Sequence, residues 1–121
     1  MSFIHLHTHT PFSFLDGVSS VQELIDKAVD LGMPAMGITD HNNVCGAVKF
    51  FKKAKNSGVK PLQGVEVTME NQSHLTLLAR NGNGYKSICT ILTRAHLKNP
   101  RNKPLTTFAD LRELEDTLVF S

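Results

Sequence analysis

Residues 3–10 read Phe3-Ile4-His5-Leu6-His7-Thr8-His9-Thr10, an apolar run in which histidine recurs at alternate positions. In a β-strand, residues i and i+2 point to the same face, so His7 and His9 would place two imidazoles together where a first strand ends. Two nitrogen donors at a strand end are a typical beginning of a metal site in a barrel or an open α/β sheet. A single histidine is better interpreted as a surface residue, whereas the trio favours metal ligation.

The remainder of the chain alternates between helix and strand patterns. Ser20 and Glu23 form a capping-box pattern ahead of a helix that Gly32 ends. The continuous apolar run of residues 35–39 is typical of a buried parallel strand. Beyond it, the patterns predict helices over 44–57, 85–97 and 107–114, and strands over 60–68, 74–79 and 117–120. This alternation predicts an α/β fold with a mainly parallel sheet.

The helix predicted over 44–57 is apolar on one face and basic on the other. Helical spacing predicts that five residues face the core: Val44, Ala47, Val48, Phe51 and Ala54. Residues 41–60 contain five lysines and no acid: Lys49, Lys52, Lys53, Lys55 and Lys60. A solvated helix face explains this basic block better than a phosphate-binding patch does.

Potential metal ligands recur at or beside predicted strand ends, at His7, His9, Asp16, His41, Glu66 and His74. Asp16 is explained equally well as a turn former before Gly17. Glu66 falls in a β-rich run, where a buried carboxylate needs a cation or hydrogen-bond donors. Imidazole suits zinc, iron or nickel, and added oxygen ligands extend the range to manganese. A glutamate among histidines can bridge two cations, as in two-metal phosphoesterases.

Other chemistries have no support in the chain. It contains no GxSxG motif, and Cys45 and Cys89 are too far apart in sequence for a CxxC pair, which fits free, buried thiols in a reducing cytosol. No segment reaches the ~18 apolar residues of a membrane span, and the N-terminus lacks a secretory signal. The net charge of +2 says little about partners, and 121 residues make one domain or part of one. We therefore expect a cytoplasmic protein, away from the membrane, with metal-assisted hydrolysis.

Four segments in this order resemble the polymerase and histidinol phosphatase (PHP) family: Leu6-His7-Thr8-His9-Thr10, Phe12-Ser13-Phe14-Leu15-Asp16-Gly17, Gly37-Ile38-Thr39-Asp40-His41 and Gly64-Val65-Glu66. Three more narrow the resemblance: Leu31-Gly32-Met33-Pro34-Ala35, His74-Leu75-Thr76-Leu77-Leu78-Ala79 and Asn83-Gly84-Tyr85. Together they are similar to the N-terminal PHP domain of bacterial DNA polymerase III alpha subunits, replicative or error-prone. The similarity covers essentially the whole chain.

The resemblance implies a distorted seven-stranded β/α barrel with up to three divalent metal ions, zinc, manganese or iron, at the C-terminal strand ends. It implies metal ligation by His7, His9, Asp16, His41, Glu66 and His74. Of these, His7, His9 and Glu66 would be catalytic through the water that the metal holds, and Glu66 would bridge. His5 and Asp40 fall beside ligands and would support them without touching metal. The implied partners are DNA or another phosphoester, other polymerase domains and replisome subunits.

One departure from the family pattern limits these expectations. The family completes its site with another histidine and a downstream Asp-x-His, whereas after His74 this chain has only His96, in a predicted helix. We therefore expect residues 1–121 to form a single PHP domain that is truncated at its C-terminal end and weak or inactive alone. A strand edge left open should make the chain marginally stable or cause it to associate.

Several functions fit these residues. The first is a metal-dependent phosphoesterase or 3′–5′ exonuclease-type site in DNA replication or translesion synthesis. The second is a non-catalytic, metal-stabilised structural or interaction module of the polymerase, and the third is a stand-alone PHP phosphatase. An amidohydrolase barrel also begins with HxH, but residues 39–41 and 64–66 argue against it.

Overall fold

The computed structural model describes residues 3–13 and 19–121. The helices and strands follow one another in the order α1 (Val21–Asp30), β1 (Ala35–His41), α2 (Ala47–Asn56), β2 (Lys60–Thr68), β3 (His74–Ala79), α3 (Gly82–Lys98), α4 (Phe108–Arg112) and β4 (Thr117–Phe120). This order confirms the predicted α/β class. Among the described residues, no helix is both long enough and apolar enough to cross a membrane.

The four strands form one sheet in the order β1-β2-β3-β4. β1 and β2 are parallel, with Ala35 opposite Lys60 and His41 opposite Glu66. β2 pairs antiparallel with β3, and β3 antiparallel with β4. The predicted parallel direction thus holds for β1 and β2, whereas residues 69–73 form a turn too short for a parallel crossover and reverse the chain into β3.

Residues 3–10 are extended but form no regular strand, which corrects the prediction of a first strand. The segment runs in the same direction as β1, with the Gly37 N–H donating to the His5 carbonyl at 2.7 Å and the Thr39 N–H donating to the Thr8 carbonyl at 2.8 Å. From the first bond to the second, the segment advances three residues, from His5 to Thr8, whereas β1 advances two, from Gly37 to Thr39. The extra residue interrupts the regular hydrogen-bond pattern, as at a β-bulge. Gly37 permits the close approach, because a Cβ there would lie 2.9 Å from the Leu6 carbonyl oxygen.

Two apolar clusters attach the helices to the sheet. The first joins α1 and α2 to β1: Val21, Ile25, Ala28, Met33, Met36, Ile38, Phe50, Ala54 and Val59. The second joins α3 to β2 and β3: Val65, Val67, Met69, Leu77, Ile88, Ile91 and Leu92. Each strand presents alternate residues to these clusters, so Gly37, Thr39 and His41 of β1 and Glu66 of β2 lie on the other face.

The core face of α2 differs from the sequence prediction. The helix begins at Ala47 rather than Val44, and Phe50 is fully buried where Phe51 was expected. Val48 and Phe51 are 64% and 46% exposed. Cys45 is also exposed, which corrects the expectation that both free thiols are buried.

Candidate metal centre

Pairing in the sheet brings the predicted ligands to one end. His41 is the last residue of β1, and the parallel register sets it opposite Glu66 on β2. Because β3 runs antiparallel to β2, its first residue, His74, lies opposite Thr68 near the end of β2. The extended segment beside β1 supplies His7 and His9. Three separate parts of the sequence, namely residues 7–9, residue 41 and residues 66–74, thus deliver one acid and four imidazoles to one place.

Glu66 is at the centre, with two imidazole nitrogens at each carboxylate oxygen. Its Oε2 contacts His7 Nε2 closely and lies 2.9 Å from His9 Nε2. Its Oε1 lies 3.1 Å from His41 Nε2 and 2.8 Å from His74 Nδ1. The Glu66 side chain is only 7% exposed, so these imidazoles replace most of its water.

The four imidazoles form a continuous row around this carboxylate. The ring centroids of His7 and His9 are 5.2 Å apart, and those of His9 and His41 are 5.7 Å apart and nearly stacked. His41 and His74 complete the row at 4.6 Å. The outer members, His7 and His74, have about half of their side chains exposed, so the row is open to solvent at both ends.

The electrostatics of the cluster favour an ionised Glu66. Burial by itself would raise the pKa of this carboxyl group. Hydrogen bonds from His7, His9 and His74, together with the charge of His41, outweigh burial and leave the pKa of Glu66 lowered. The carboxylate is thus held in the form that ligates cations.

The geometry offers two metal positions that share Glu66. One comprises His7, His9 and Glu66, and the other His41, Glu66 and His74; within each, one ligand atom per residue lies within 4.8 Å of the others. Two imidazole nitrogens and one carboxylate oxygen make an open three-ligand site of the type that divalent transition metals occupy in hydrolases. Because each Glu66 oxygen belongs to a different group, the side chain is placed to bridge. The donor set therefore fits divalent cations.

Asp40 points away from the row and holds the loop after His9. It is 1% exposed and accepts hydrogen bonds from the Thr10 N–H at 2.6 Å, the Thr10 hydroxyl at 2.7 Å and the Ser13 hydroxyl at 2.6 Å. Ser13 Oγ also accepts from the His41 N–H at 2.9 Å. Asp40 thus joins the end of the His7–His9 segment to the strand that carries His41.

Two other predicted site residues are placed differently. His5 is exposed and belongs to neither metal group; its ring packs edge-on against Phe3 at 4.7 Å between centroids. Asp16 lies outside the described residues. Sequence reasoning missed Thr10, Ser13 and Asn42, whose bonds lie around the row; the only signal was that each is a polar residue one to four positions from a predicted ligand.

Comparison with known proteins gives the family. The sequence pattern of the PHP domain matches residues 5–120. The error-prone DNA polymerase of Symbiobacterium thermophilum is 53% identical over 110 residues, which are 90% of this chain and 10% of that protein. The DNA polymerase III subunit alpha of Vibrio cholerae is 40% identical over 124 residues, which are 97% of this chain and 11% of that protein. The chain spans about a tenth of the length of these curated relatives.

Solved structures share the fold. An amidohydrolase from Chromobacterium violaceum, with bound sulfate and no metal, superposes with a TM-score of 0.64 at 26% identity, over 78% of this chain and 33% of its own. A protein from Bifidobacterium adolescentis classed as a metal-dependent phosphoesterase also gives 0.64, at 22% identity, over 79% of this chain and 34% of its own. These neighbours confirm the α/β prediction and its description as a piece of a larger barrel fold.

Proposed function

This chain belongs to the PHP domain family, and from that premise we propose that it is the metal-dependent phosphoesterase or 3′–5′ exonuclease-type centre of a DNA polymerase III alpha subunit or error-prone polymerase. The observation that carries the proposal is the pairing of each Glu66 oxygen with two imidazoles. The names of the relatives support the polymerase context, in replication or translesion synthesis. The phosphoesterase class of one structural neighbour agrees with the chemistry.

In the proposed centre the metals are zinc, manganese or iron, up to three in the complete family site. The proposed ligands are His7, His9, Asp16, His41, Glu66 and His74. When bound, such cations act as Lewis acids and make water a nucleophile at neutral pH. We assign the catalytic role to His7, His9 and Glu66, which form one of the two candidate groups and lie in the HxH and Gly-Val-Glu segments that resemble the family.

The chain's own groups have distinct tasks in this proposal. Glu66 would supply negative charge to both positions, since each of its carboxylate oxygens lies beside a different pair of imidazoles. Asp40 orients the loop after His9 and, through Ser13, the His41 backbone. The half-exposed His7 and His74 leave room for a phosphoester to approach.

A second candidate is a non-catalytic, metal-stabilised module of the polymerase. This alternative needs only that the Glu66 cluster hold a cation, whereas a two-metal mechanism needs both cations ~3.5–4 Å apart with their ligands complete. A stand-alone PHP phosphatase is a further alternative. In either polymerase reading, we propose DNA, other polymerase domains and replisome subunits as partners, and the cytoplasm as the location.

The test compares this chain with a version extended through the Asp-x-His segment of a polymerase relative. Both are assayed with manganese or zinc on a generic phosphodiester and on a 3′-ended DNA strand. We expect this chain to bind metal weakly and hydrolyse poorly, and the extended chain to be active and lose activity in His9→Ala. No activity in the extended chain would reject the catalytic proposal in favour of the structural module. Equal rates in both chains, abolished by His9→Ala, would contradict the argument from missing ligands.

A further inference from the structure

The residue directly after His41 adopts a left-handed backbone. Asn42 has φ of 54°, a conformation that asparagine tolerates better than most residues other than glycine. A role as a simple turn residue would be enough to explain this backbone conformation. The hydrogen bonds of Asn42 indicate an additional role, because all four of its polar groups have a partner in the structure.

Three of these bonds tie Asn42 to the strand that carries Glu66. Its N–H donates to the Glu66 carbonyl at 2.8 Å, continuing the β1–β2 ladder beyond its last pair. Its side-chain oxygen accepts from the Thr68 N–H at 2.9 Å, and its amide nitrogen donates to the Thr68 hydroxyl at 3.0 Å. Asn42 is therefore bonded to both Glu66 and Thr68 of β2. Glu66 carries the shared carboxylate, and Thr68 lies opposite His74.

The fourth bond comes from a helix that contributes no member to either metal group. The Asn42 carbonyl lies 2.7 Å from Nε2 of His96, on the last turn of α3. Because a carbonyl only accepts, Nε2 of His96 must carry the proton, which fixes its tautomer. α3 packs on β2 and β3 through the second apolar cluster, so this bond anchors the Asn42 turn to the same body that carries Glu66 and His74.

We infer that Asn42 and His96 are positioning residues for the metal centre: Asn42 locks the His41 end of β1 to β2, and His96 holds Asn42 in place. Neither residue belongs to either of the two candidate metal groups. The inference rests on the proposed function, because its consequence is the alignment of His41 with Glu66 and His74. Groups that orient metal ligands in this way typically alter metal affinity ~10–100-fold when changed.

The test uses variants that keep the backbone conformation. Asn42→Gly permits the positive φ but removes both side-chain bonds. His96→Leu removes the donor to the Asn42 carbonyl, and His96→Gln restores a donor nitrogen. Lys98→Leu changes an exposed residue at the same helix end as a matched control. Zinc affinity is measured by competition with a chromophoric chelator, and backbone amide exchange is measured by NMR without metal.

We expect Asn42→Gly and His96→Leu to weaken zinc binding about tenfold or more, with His96→Gln recovering most of it and Lys98→Leu resembling the wild type. Without metal, the Thr68 amide should exchange faster in Asn42→Gly, and the Asn42 amide faster in His96→Leu. A merely structural role would lower the melting temperature and leave the zinc affinity of the folded chain unchanged, which would overturn the inference.

The failure of the proposed function is distinguishable from the failure of this inference. A wild-type chain that binds no zinc would reject the metal centre. The part of the inference that would then remain is that Asn42 and His96 order the turn after His41, which amide exchange tests without metal. Unchanged exchange at both Thr68 and Asn42 in their respective variants would overturn it.

Discussion

At the scale of single residues, the buried Asp40 shows how the loop after His9 is fixed. Its carboxylate accepts three hydrogen bonds and is almost fully buried. Asp40→Ala would leave three donors without an acceptor, and we expect a loss of about 3 kcal/mol in the free energy of unfolding. Asp40→Asn should cost only ~1–2 kcal/mol, because the Thr10 hydroxyl can rotate and accept from the new amide.

Urea unfolding of the two Asp40 variants checks this order. Glu70→Ala, at an exposed acid, is the control and should change the free energy of unfolding by less than ~0.5 kcal/mol. An Asp40→Ala variant as stable as the control would show that Asp40 does not secure the loop.

Five residues of the site could be predicted from the sequence, because runs of apolar residues show where strands begin and end. His7, His9, His41, Glu66 and His74 all follow or begin an apolar run, and the structure brings them together. The residues around them were not predictable in the same way. Thr10, Ser13 and Asn42 act through hydrogen bonds to segments 26 to 30 positions away, and no periodicity encodes those bonds.

At the scale of elements, α2 is the clearest difference between sequence pattern and structure. Apolar residues occur on two of its faces, so spacing alone did not decide which phenylalanine is buried. Phe50 lies in the first cluster, whereas Phe51 faces solvent with the Lys55 ammonium 5.7 Å from its ring centroid. In contrast, the bounds predicted for β3 and β4 match the structure. Turns that contain Asn and Gly flank the apolar run of β3, and the acidic pair Glu115-Asp116 precedes that of β4.

The two adjacent phenylalanines give a matched pair for testing the α2 orientation. We expect Phe50→Ala to lower the free energy of unfolding by about 3–5 kcal/mol, since it leaves a cavity in the core. Phe51→Ala should cost less than about 1 kcal/mol, because it removes mainly an exposed cation–π contact. Chemical denaturation of both variants measures the two losses. A larger loss for Phe51→Ala than for Phe50→Ala would mean that α2 is rotated relative to the sheet.

The short helix α4 depends on a capping box that should respond to pH. Burial by itself would raise the pKa of Asp110, but bonds from the Thr107 N–H and hydroxyl and from Arg94 outweigh it and leave the pKa lowered. A carboxyl group with a lowered folded-state pKa stabilises the fold above its unfolded value, about 3.9, and loses this contribution as the pH falls through the folded value.

Asp110→Asn isolates that contribution from the other acids. At pH 7 we expect the variant to be about 1 kcal/mol less stable than the wild type, and the difference should shrink as the pH is lowered below about 4. Denaturation midpoints at pH 7 and pH 3 supply the measurement. A constant difference between the two proteins at both values would contradict the assigned role of the ionised Asp110.

At the scale of the whole molecule, the sheet presents an open edge. Within residues 3–13 and 19–121, β4 pairs only with β3 in the sheet order, and Leu118 and Val119 are 52% and 46% exposed. Unprotected apolar edges promote pairing between chains. We therefore expect the 121-residue chain to associate at micromolar concentration. Sedimentation velocity should show this, and Val119→Lys should shift the chain towards monomer.

Gln22→Lys, on the exposed face of α1, adds the same charge away from the edge and should leave association unchanged. A wild-type chain that sediments as a monomer with a high, cooperative melting transition would contradict the expectation.

The fold class could be predicted from the whole chain, but the sheet directions could not. Alternating helix and strand patterns indicate βα units and hence parallel pairing, which holds for β1 and β2. The reversal at residues 69–73 is a local property of a five-residue turn, and β4 then adds antiparallel to β3. The fold therefore follows from hydrophobic pattern, while strand direction follows from the lengths of individual connections.

Residue, strand pairing and whole sheet meet at Glu66, which we propose joins the imidazoles of residues 7–9, β1 and β3 in one metal centre. Zinc titration of the 121-residue chain, followed by elemental analysis after dialysis, tests it most directly. We predict that His9→Ala and His41→Ala each weaken one position, that Glu66→Gln abolishes both, and that Glu70→Gln changes neither. The Glu66→Gln loss should exceed the ~100-fold upper range of outer-sphere changes. Zinc binding by Glu66→Gln with wild-type affinity and stoichiometry would show that Glu66 is not the shared ligand.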